Sequence, residues 1–466
     1  MAGVTGSFRD PCGRVFDSEG GILRSVNACY RHHWEKAVAC GLLPDLAAKG
    51  QALAFHETAP LPGAWKTLEV ERIPWVSYPY EWSFPQLRDA AILTLEIQKE
   101  ALARGMTLKD ASAYNIQFRG ADPVFIDLLS FEERQADAPW QAYRQFCMHF
   151  LAPLALYAAD PRLSRLSALW IDGIPLDLAW SLLPGSSAFS LGLQMHLHLH
   201  AKAENKYRDG CLAARDIRRA KVSARGLFDL TDSLLRLIKD MASPKQAGEW
   251  EDYYTDTNYS PAARQAKETL TELAAGKKAK AGEGHIALDL GANTGHYSAL
   301  LARHFPLVIA ADIDAQAVGR HYLSLRASSE KRILPLVLDL ANPSPGIGWG
   351  CAERASWMQR GKADFVCALA LAHHLYFSVG IPWPEQAAFF AGLLAPGGSL
   401  LLEFVPREDS QVERLLAARD DIFPDYTLEG FRSAFLPLFE EQEAHSLPES
   451  KRTVLFLTRR GLPDKE

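Results

Sequence analysis

The chain has 466 residues, 48% of them hydrophobic and 23% charged, which is ordinary globular composition spread over more length than one core holds; two or three domains are expected. A formal net charge of −6 argues against a protein that grips nucleic acid chiefly by its phosphates. The seven cysteines are scattered with no C-x-x-C pair, so no metal site is expected, and the N-terminus lacks a signal-peptide pattern while Phe150 to Ala159 is too short to span a bilayer. Together these features predict a soluble cytoplasmic protein without a membrane segment.

In chain order, Ser7 to Phe16 with its Pro-Cys-Gly centre predicts a hairpin, Ile22 to Val26 a further strand and Ala28 to Ala39 a helix. Trp65 to Trp75 begins with the alternation of a strand. Asp89 to Ala103 carries apolar residues at helical spacing with few breakers and predicts a helix. Leu108 to Glu132 follows, with Asp110, then Asn115 five positions on, then a hairpin pattern through Gly120 to Pro123 that ends at Asp127.

The order and spacing of Asp110, Asn115 and Asp127 resemble the catalytic segment of the protein-kinase and small-molecule-kinase superfamily. That resemblance implies an aspartate serving an acceptor hydroxyl, an asparagine holding metal and an aspartate holding the magnesium of Mg-ATP. The segment also departs from the pattern. Leu108 and Lys109 stand where histidine-arginine is usual, and Leu128 and Leu129 follow Asp127 where a glycine is expected. No glycine-rich phosphate lid or strand lysine stands out upstream, and Arg24 or Lys66 would be poor substitutes for a positioned point charge. The expectation is an α+β kinase-like domain over residues 1–242, a pseudokinase scaffold more than an active kinase.

Helical patterns then run through Tyr143 to Tyr157 and Asp216 to Met241. Between them, His196, His198 and His200 alternate with leucine, which could put three imidazoles on one strand face. Without acidic or cysteine partners nearby, a half-exposed strand or an irregular helix face is the simpler account. Residues 243–283 read as an aromatic lid and linker helix: Tyr253, Tyr254 and Tyr259 precede a helix start at Ser260 and Pro261, and Lys277 to Glu283 looks like a charged joint. The tyrosine faces would suit a sulfonium ligand, or the rings could pack between domains.

The remainder, residues 284–466, alternates strand and helix. Ile286 to Leu290, Leu307 to Ala311, Ile333 to Leu338, Phe365 to Leu371, Ser399 to Phe404 and Thr453 to Thr458 read as strands, with helices such as His296 to His304, Ala315 to Ala327 and Glu385 to Leu394 between the first five. This pattern predicts a doubly wound α/β domain whose ligand lies at the carboxyl ends of the strands. Asp289 and the D-L-G-A-N-T-G turn end the first strand, Asp312 the second, Asp339 the third and Ala370 to His374 the fourth. A nicotinamide dehydrogenase is the rival, but Asn293 interrupts its G-x-G-x-x-G fingerprint and that scheme has no role for Asp339.

This set resembles the class I S-adenosylmethionine-dependent methyltransferases, which implies a Rossmann-like sheet of seven strands ending in an antiparallel pair, here around Glu441 to Leu447 and Thr453 to Thr458. Carried over, the resemblance puts Asp289, Gly291, Asn293 and Gly295 at the methionine part of S-adenosyl-L-methionine, Asp312 at the ribose hydroxyls, Asp339 with Leu340 at the adenine, and Ala370 at the fourth strand end. His373 and His374 lie where the acceptor meets the methyl group, and either could be a base. By general architecture the whole chain is similar to the large bacterial methyltransferases of the nodulation-protein type. The expected function is methylation of a small-molecule or glycan acceptor, with the N-terminal domain recognising or presenting it. A bifunctional kinase-methyltransferase and a cofactor-binding regulatory protein remain alternatives.

Overall fold

The structure is a computed structural model that describes residues 2–18, 21–198, 221–244, 259–280, 284–417 and 422–461. Two units divide the chain: Met1–Gln246 with Gly346–Arg354, and Ala247–Pro345 with Ala355–Glu466.

The first unit is α+β. Its antiparallel sheet runs β1 (Ala2–Gly3), β2 (Val15–Ser18), β3 (Gly21–Val26), β5 (Lys66–Val70), β4 (Phe55–Thr58), with helices Arg31–Ala39 and Leu42–Ala48 between β3 and β4. The expected hairpin over Ser7 to Phe16 does not form. Thr5–Ser7 is a 3-10 turn, and the hairpin pairs β2 with β3 instead. The reason lies in the Pro-Cys-Gly stretch: Cys12 N–H donates to Asp10 Oδ1 (2.9 Å), while the Cys12 carbonyl accepts from Asn27 N–H (2.7 Å). Backbone groups committed in this way cannot join a local ladder. The strand at Trp65 to Trp75 also stops early, at Val70.

Helix Phe84–Ala103 starts five residues before the periodicity suggested, because Ser83 and Gln86 form a capping box and Pro85 suits the first turn. It leads into two small antiparallel pairs, β6 (Met106–Leu108) with β9 (Phe131–Glu133), and β7 (Ile116–Arg119) with β8 (Asp122–Phe125), the second being the hairpin read from Gly120 to Pro123. The helical stretch Tyr143–Phe146 passes through a π-helical turn, Cys147–Leu151, into Ala152–Ala159. The alternating histidines fall on a second π-helical turn, Gln194–His198. There His196 is buried, and its ring nitrogens meet the Tyr143 hydroxyl (2.7 Å) and Ser233 Oγ (3.2 Å), a satisfied core histidine; His200 lies outside the described residues.

The second unit is built on one sheet of seven strands: β10 (Ile286–Leu290), β11 (Leu307–Asp312), β12 (Ile333–Val337), β13 (Ala363–Ala368), β14 (Leu394–Phe404), β15 (Phe439–Ser446) and β16 (Thr453–Arg459). Their order is β12-β11-β10-β13-β14-β16-β15, parallel through the first five positions, with β16 antiparallel to both neighbours. This is the seven-stranded sheet with an antiparallel end that the alternation of strand and helix predicts. Continuous aliphatic runs such as Leu307 to Ala311 are buried along their whole length, as strands covered on both faces must be. The strand order reverses between β10 and β13, and that switch opens a crevice at the carboxyl ends. Helix Pro261–Lys280 continues through the first part of the expected joint at Lys277 to Glu283. Lys278 is buried there and donates to the Gly397 carbonyl (2.9 Å), and Lys277 pairs with Glu443, so the lysines hold the helix down rather than ending it. No described helix is long and apolar enough to cross a membrane.

Candidate active site

The turn after β10 is held from inside the sheet. Gly291 and Ala292 N–H both donate to the Ala311 carbonyl, and Gly291 adopts a φ of +76°, where a side chain would be strained. A Cβ on Gly291 would approach only Leu371, at 3.7 Å, so the turn after β10 and the turn after β13 face each other. Gly295 has a different task. A Cβ there would sit 2.0 Å from the His321 imidazole, so this glycine makes room for a buried ring of its own unit rather than for a ligand.

Asp289 is buried at the end of β10, where the Ser298 hydroxyl donates to its Oδ2 (2.6 Å); burial pushes its carboxyl up to about 6 despite that bond. At the end of β11, Asp312 Oδ2 accepts from Asn293 N–H (2.7 Å) and Oδ1 from Asp314 N–H (2.8 Å). Among the described residues Asp312 has no cationic partner, and burial raises its carboxyl. Each of its oxygens keeps a second lone pair. Asn293 is itself left-handed, at φ 49°, and its side chain accepts from Thr294 N–H (2.8 Å). Beyond β12, Asp339 is half-buried and caps its own turn by accepting from Ala341 N–H (2.9 Å), with Leu340 half-buried beside it. One neighbour escaped the sequence reading: Ile313, next to Asp312, is 58% exposed. No signal in the sequence sets this isoleucine apart from the buried aliphatics before it, because its exposure is decided by what packs against the strand end.

After β13 the chain turns through Ala370 in the left-handed region, φ 51°, and enters the short helix Ala372–His374. His373 is buried, with its ring 4.1 Å from that of His374. Burial, then the proximity of His374, Arg452 and Lys267, pushes His373 well below the usual imidazole range; burial followed by Arg452 takes His374 down to about 4. Both rings are therefore neutral at neutral pH. His373 Nδ1 is buried with no hydrogen-bond partner among the described residues, an orphan of the kind that a ligand group would satisfy.

Beside these histidines lies a set of buried charges that no sequence motif marks. Glu403 and Arg452 are both buried. Lys267 Nζ lies 2.7 Å from Glu403 Oε2, and Arg452 NH1 3.6 Å from Glu403 Oε1, while Arg452 also makes a two-pronged pair with Asp409 (2.7 and 2.9 Å). Tyr259 is the hub: its hydroxyl donates to Glu403 Oε1 (2.6 Å) and accepts from Lys267 (2.9 Å) and Arg452. The Lys267 ammonium and the Arg452 guanidinium each lie 4.4 Å from the centre of the Tyr259 ring. The aromatic surface expected to attract a sulfonium thus already carries two cations. Tyr253 and Tyr254 lie outside the described residues.

In the first unit, the three residues of the kinase-like pattern come together. Asp127 Oδ2 accepts from the Ser130 hydroxyl (2.6 Å), whose oxygen accepts from Asn115 Nδ2 (3.3 Å). Asp110 accepts from Ser112 N–H (2.9 Å), and burial followed by the charge of Asp127 raises its carboxyl. Arg24, a poor substitute for a strand lysine by its chemistry, nonetheless sits at this centre: its guanidinium on β3 donates to Asp127 Oδ1 (2.7 Å) and Asp10 Oδ2 (3.1 Å). Lys109, in the usual place of arginine, lies 3.1 Å from Cys12 Sγ and 3.9 Å from Asp10 Oδ1.

Among known proteins, the chain is 34% identical over 474 aligned positions to the nodulation protein NoeA of Rhizobium meliloti, covering 98% of this chain and 96% of that one. No family model matches it. Solved structures with a similar fold include the N-methyltransferase NodS from Bradyrhizobium japonicum WM9 in complex with S-adenosyl-L-homocysteine (14% identity, 44% of this chain, 90% of that one, TM-score 0.32). Magnesium protoporphyrin IX methyltransferase from Synechocystis with bound S-adenosylmethionine is another (18% identity, 45% of this chain, 89% of that one, TM-score 0.32).

Proposed function

The chain belongs to the family of the nodulation protein NoeA, and we propose that it is a methyltransferase that uses S-adenosyl-L-methionine on a small-molecule or glycan acceptor. One observation carries this reading: consecutive ends of a seven-stranded sheet present a glycine turn, an acidic residue without a cationic partner among the described residues, a further aspartate and a buried imidazole whose Nδ1 has no hydrogen-bond partner among them. In this assignment the Asp312 carboxylate binds the ribose hydroxyls through its remaining lone pairs, and Asp339 with Leu340 and the exposed Ile313 border the adenine. Asp289, Gly291, Asn293, Gly295 and Ala370 shape the place of the methionine part, Gly295 indirectly through its packing on His321.

When bound, the cofactor supplies a methyl carbon already activated by its sulfonium. The chain's own residues then have to position the acceptor, exclude water and take a proton from a hydroxyl or amine. His373 is suited to the proton: it is neutral and buried, and its Nδ1 has no hydrogen-bond partner among the described residues. His374 lies tilted beside it and keeps the acceptor side polar without adding charge.

For the first unit we assign recognition or presentation of the acceptor. The Arg24 guanidinium on Asp127 supports a silent scaffold, because the carboxylate that would hold magnesium already has a cation. The convergence of Asp110, Asn115 and Asp127 favours a second reading, phosphoryl transfer from Mg-ATP. ATP turnover lost in Asp110→Ala and in Asp127→Ala supports it; absence of Mg-ATP binding removes it. The methyltransferase reading is tested by incubating the purified chain with methyl-labelled cofactor and fractionated extract. Label entering a small molecule or glycan is expected, and tight cofactor binding with label entering nothing sinks the reading in favour of a regulatory protein.

A further inference from the structure

A buried ion quartet at the strand ends of a site for a cationic cofactor raises an electrostatic question. Lys267 and Arg452 are 4% and 2% exposed, so solvent does little to screen them, and a sulfonium brought to the same strand ends would be repelled. The position of the quartet follows from the sheet. Glu403 lies two residues beyond Leu401, which is in register with Cys367, itself in register with Asp289, so Glu403 stands at the carboxyl edge that also carries the glycine turn. Arg452 directly precedes β16, which runs antiparallel to β14 and starts at that same edge. Lys267 comes from the helix Pro261–Lys280.

We propose that Glu403 is a positioning residue for methyl transfer: held by the Tyr259 hydroxyl and paired with Lys267 and Arg452, it cancels their charge so that a sulfonium and a neutral His373 can share the strand ends. Four charges balance here, Lys267 and Arg452 against Glu403 and Asp409. Asp409 is committed to Arg452 by two hydrogen bonds, which leaves Glu403 as the direct counter-ion of Lys267. Tyr259 contributes no charge. By accepting from both cations while donating to Glu403, it fixes where the carboxylate can sit. The same two cations bear on His373, so an uncompensated pair would also oppose the imidazolium that forms when this residue takes a proton.

The inference rests on the methyltransferase reading and makes a prediction that a packing role does not. S-adenosylmethionine carries the sulfonium charge and S-adenosylhomocysteine lacks it, while the two share nearly every other contact. Calorimetric titration of the full chain with each ligand gives their affinity ratio. In Glu403→Gln the shape persists, one acceptor oxygen is kept and the charge is gone, and the ratio is expected to move against S-adenosylmethionine on the order of tenfold, the size of one uncompensated charge roughly 12 Å away at an effective dielectric of about 20. Adding Lys267→Met to Glu403→Gln removes the uncompensated cation and should restore the ratio. Lys267→Met alone should move it the opposite way, which provides a measurement of opposite sign if the Gln variant does not fold. Equal weakening of both ligands, or an unchanged ratio in either foldable variant, overturns the proposal. Failure of the unaltered chain to bind either ligand would overturn the methyltransferase reading and this inference with it.

Discussion

Asp127 in the first unit and Asp312 in the second are both partly or wholly buried carboxylates close to strand ends, and their partners separate them. Asp127 meets the Arg24 guanidinium at 2.7 Å and the Ser130 hydroxyl at 2.6 Å, so its charge and a share of its lone pairs are spoken for. Asp312 meets two backbone N–H groups, which orient its oxygens without cancelling their charge. The lesson is that a motif places a carboxylate, whereas its availability depends on what the rest of the fold brings to it. A carboxylate neutralised by a guanidinium is a structural strut, and one oriented only by amides is prepared for a ligand.

Four measurements would sharpen or break this contrast. The largest effect is expected for Gly295→Ala, because a methyl group there must displace the His321 ring and hold a left-handed backbone. The cost is about 3 kcal/mol, read as a lower unfolding midpoint of the full chain. If stability is unchanged, the second centre is looser than its hydrogen bonds imply.

Next comes Asp312→Ala, which should weaken S-adenosylmethionine binding by about 1.5–3 kcal/mol, since a charged two-oxygen acceptor is lost. Asp127→Ala should leave that affinity untouched. Equal losses in both variants would falsify the division of labour between the two carboxylates.

The third effect concerns pH. His321 is held at about 4 by burial, against an ordinary value of 6.5, so the unfolded chain binds its proton first as pH falls. Its contribution to stability is therefore fully present above pH 6.5 and is lost progressively down to about 4, a loss of about 1–2 kcal/mol after allowance for partial opening. Asp289 works the other way: with its carboxyl raised to about 6 from an ordinary 3.8, the folded chain takes that proton first and gains stability as pH falls between those two values. His321→Leu should thus flatten or invert the acid limb of a stability curve, and an unchanged slope would show that the ring titrates freely.

The smallest effect is expected for Arg24→Met. The pair is partly screened, with side chains 12% and 18% exposed, so its loss costs about 1 kcal/mol of stability. Its diagnostic value lies in the magnesium titration that accompanies it. Stabilisation by Mg²⁺ in Arg24→Met but not in the unaltered chain would show that the guanidinium occupies the place of a metal.

Much of the second unit was legible in the residues alone. Buried parallel strands must be continuously aliphatic, and the turns at their ends must carry the polar residues, so the runs from Ile286 to Leu290 and from Leu307 to Ala311 predicted both the sheet and the places of Asp289 and Asp312. The first unit was harder to read at its N-terminus. A Pro-Cys-Gly turn signal resembles a hairpin when Asn27, which takes up its carbonyls, lies fifteen residues downstream of Cys12. The lysines after Leu273 suggested a joint by charge, but Lys278 is buried against Gly397, a contact 119 residues away.

By itself, then, the sequence determined periodicity, turn chemistry and the order of polar residues along the strands, because these depend on neighbours a few positions apart. Only the tertiary structure decided which charges are compensated. Arg24 reaches Asp127 across 103 positions, and Tyr259 reaches Glu403 across 144 and Arg452 across 193. Electrostatic energy depends on distance in space and on exclusion of water, and neither is written in spacing along the chain.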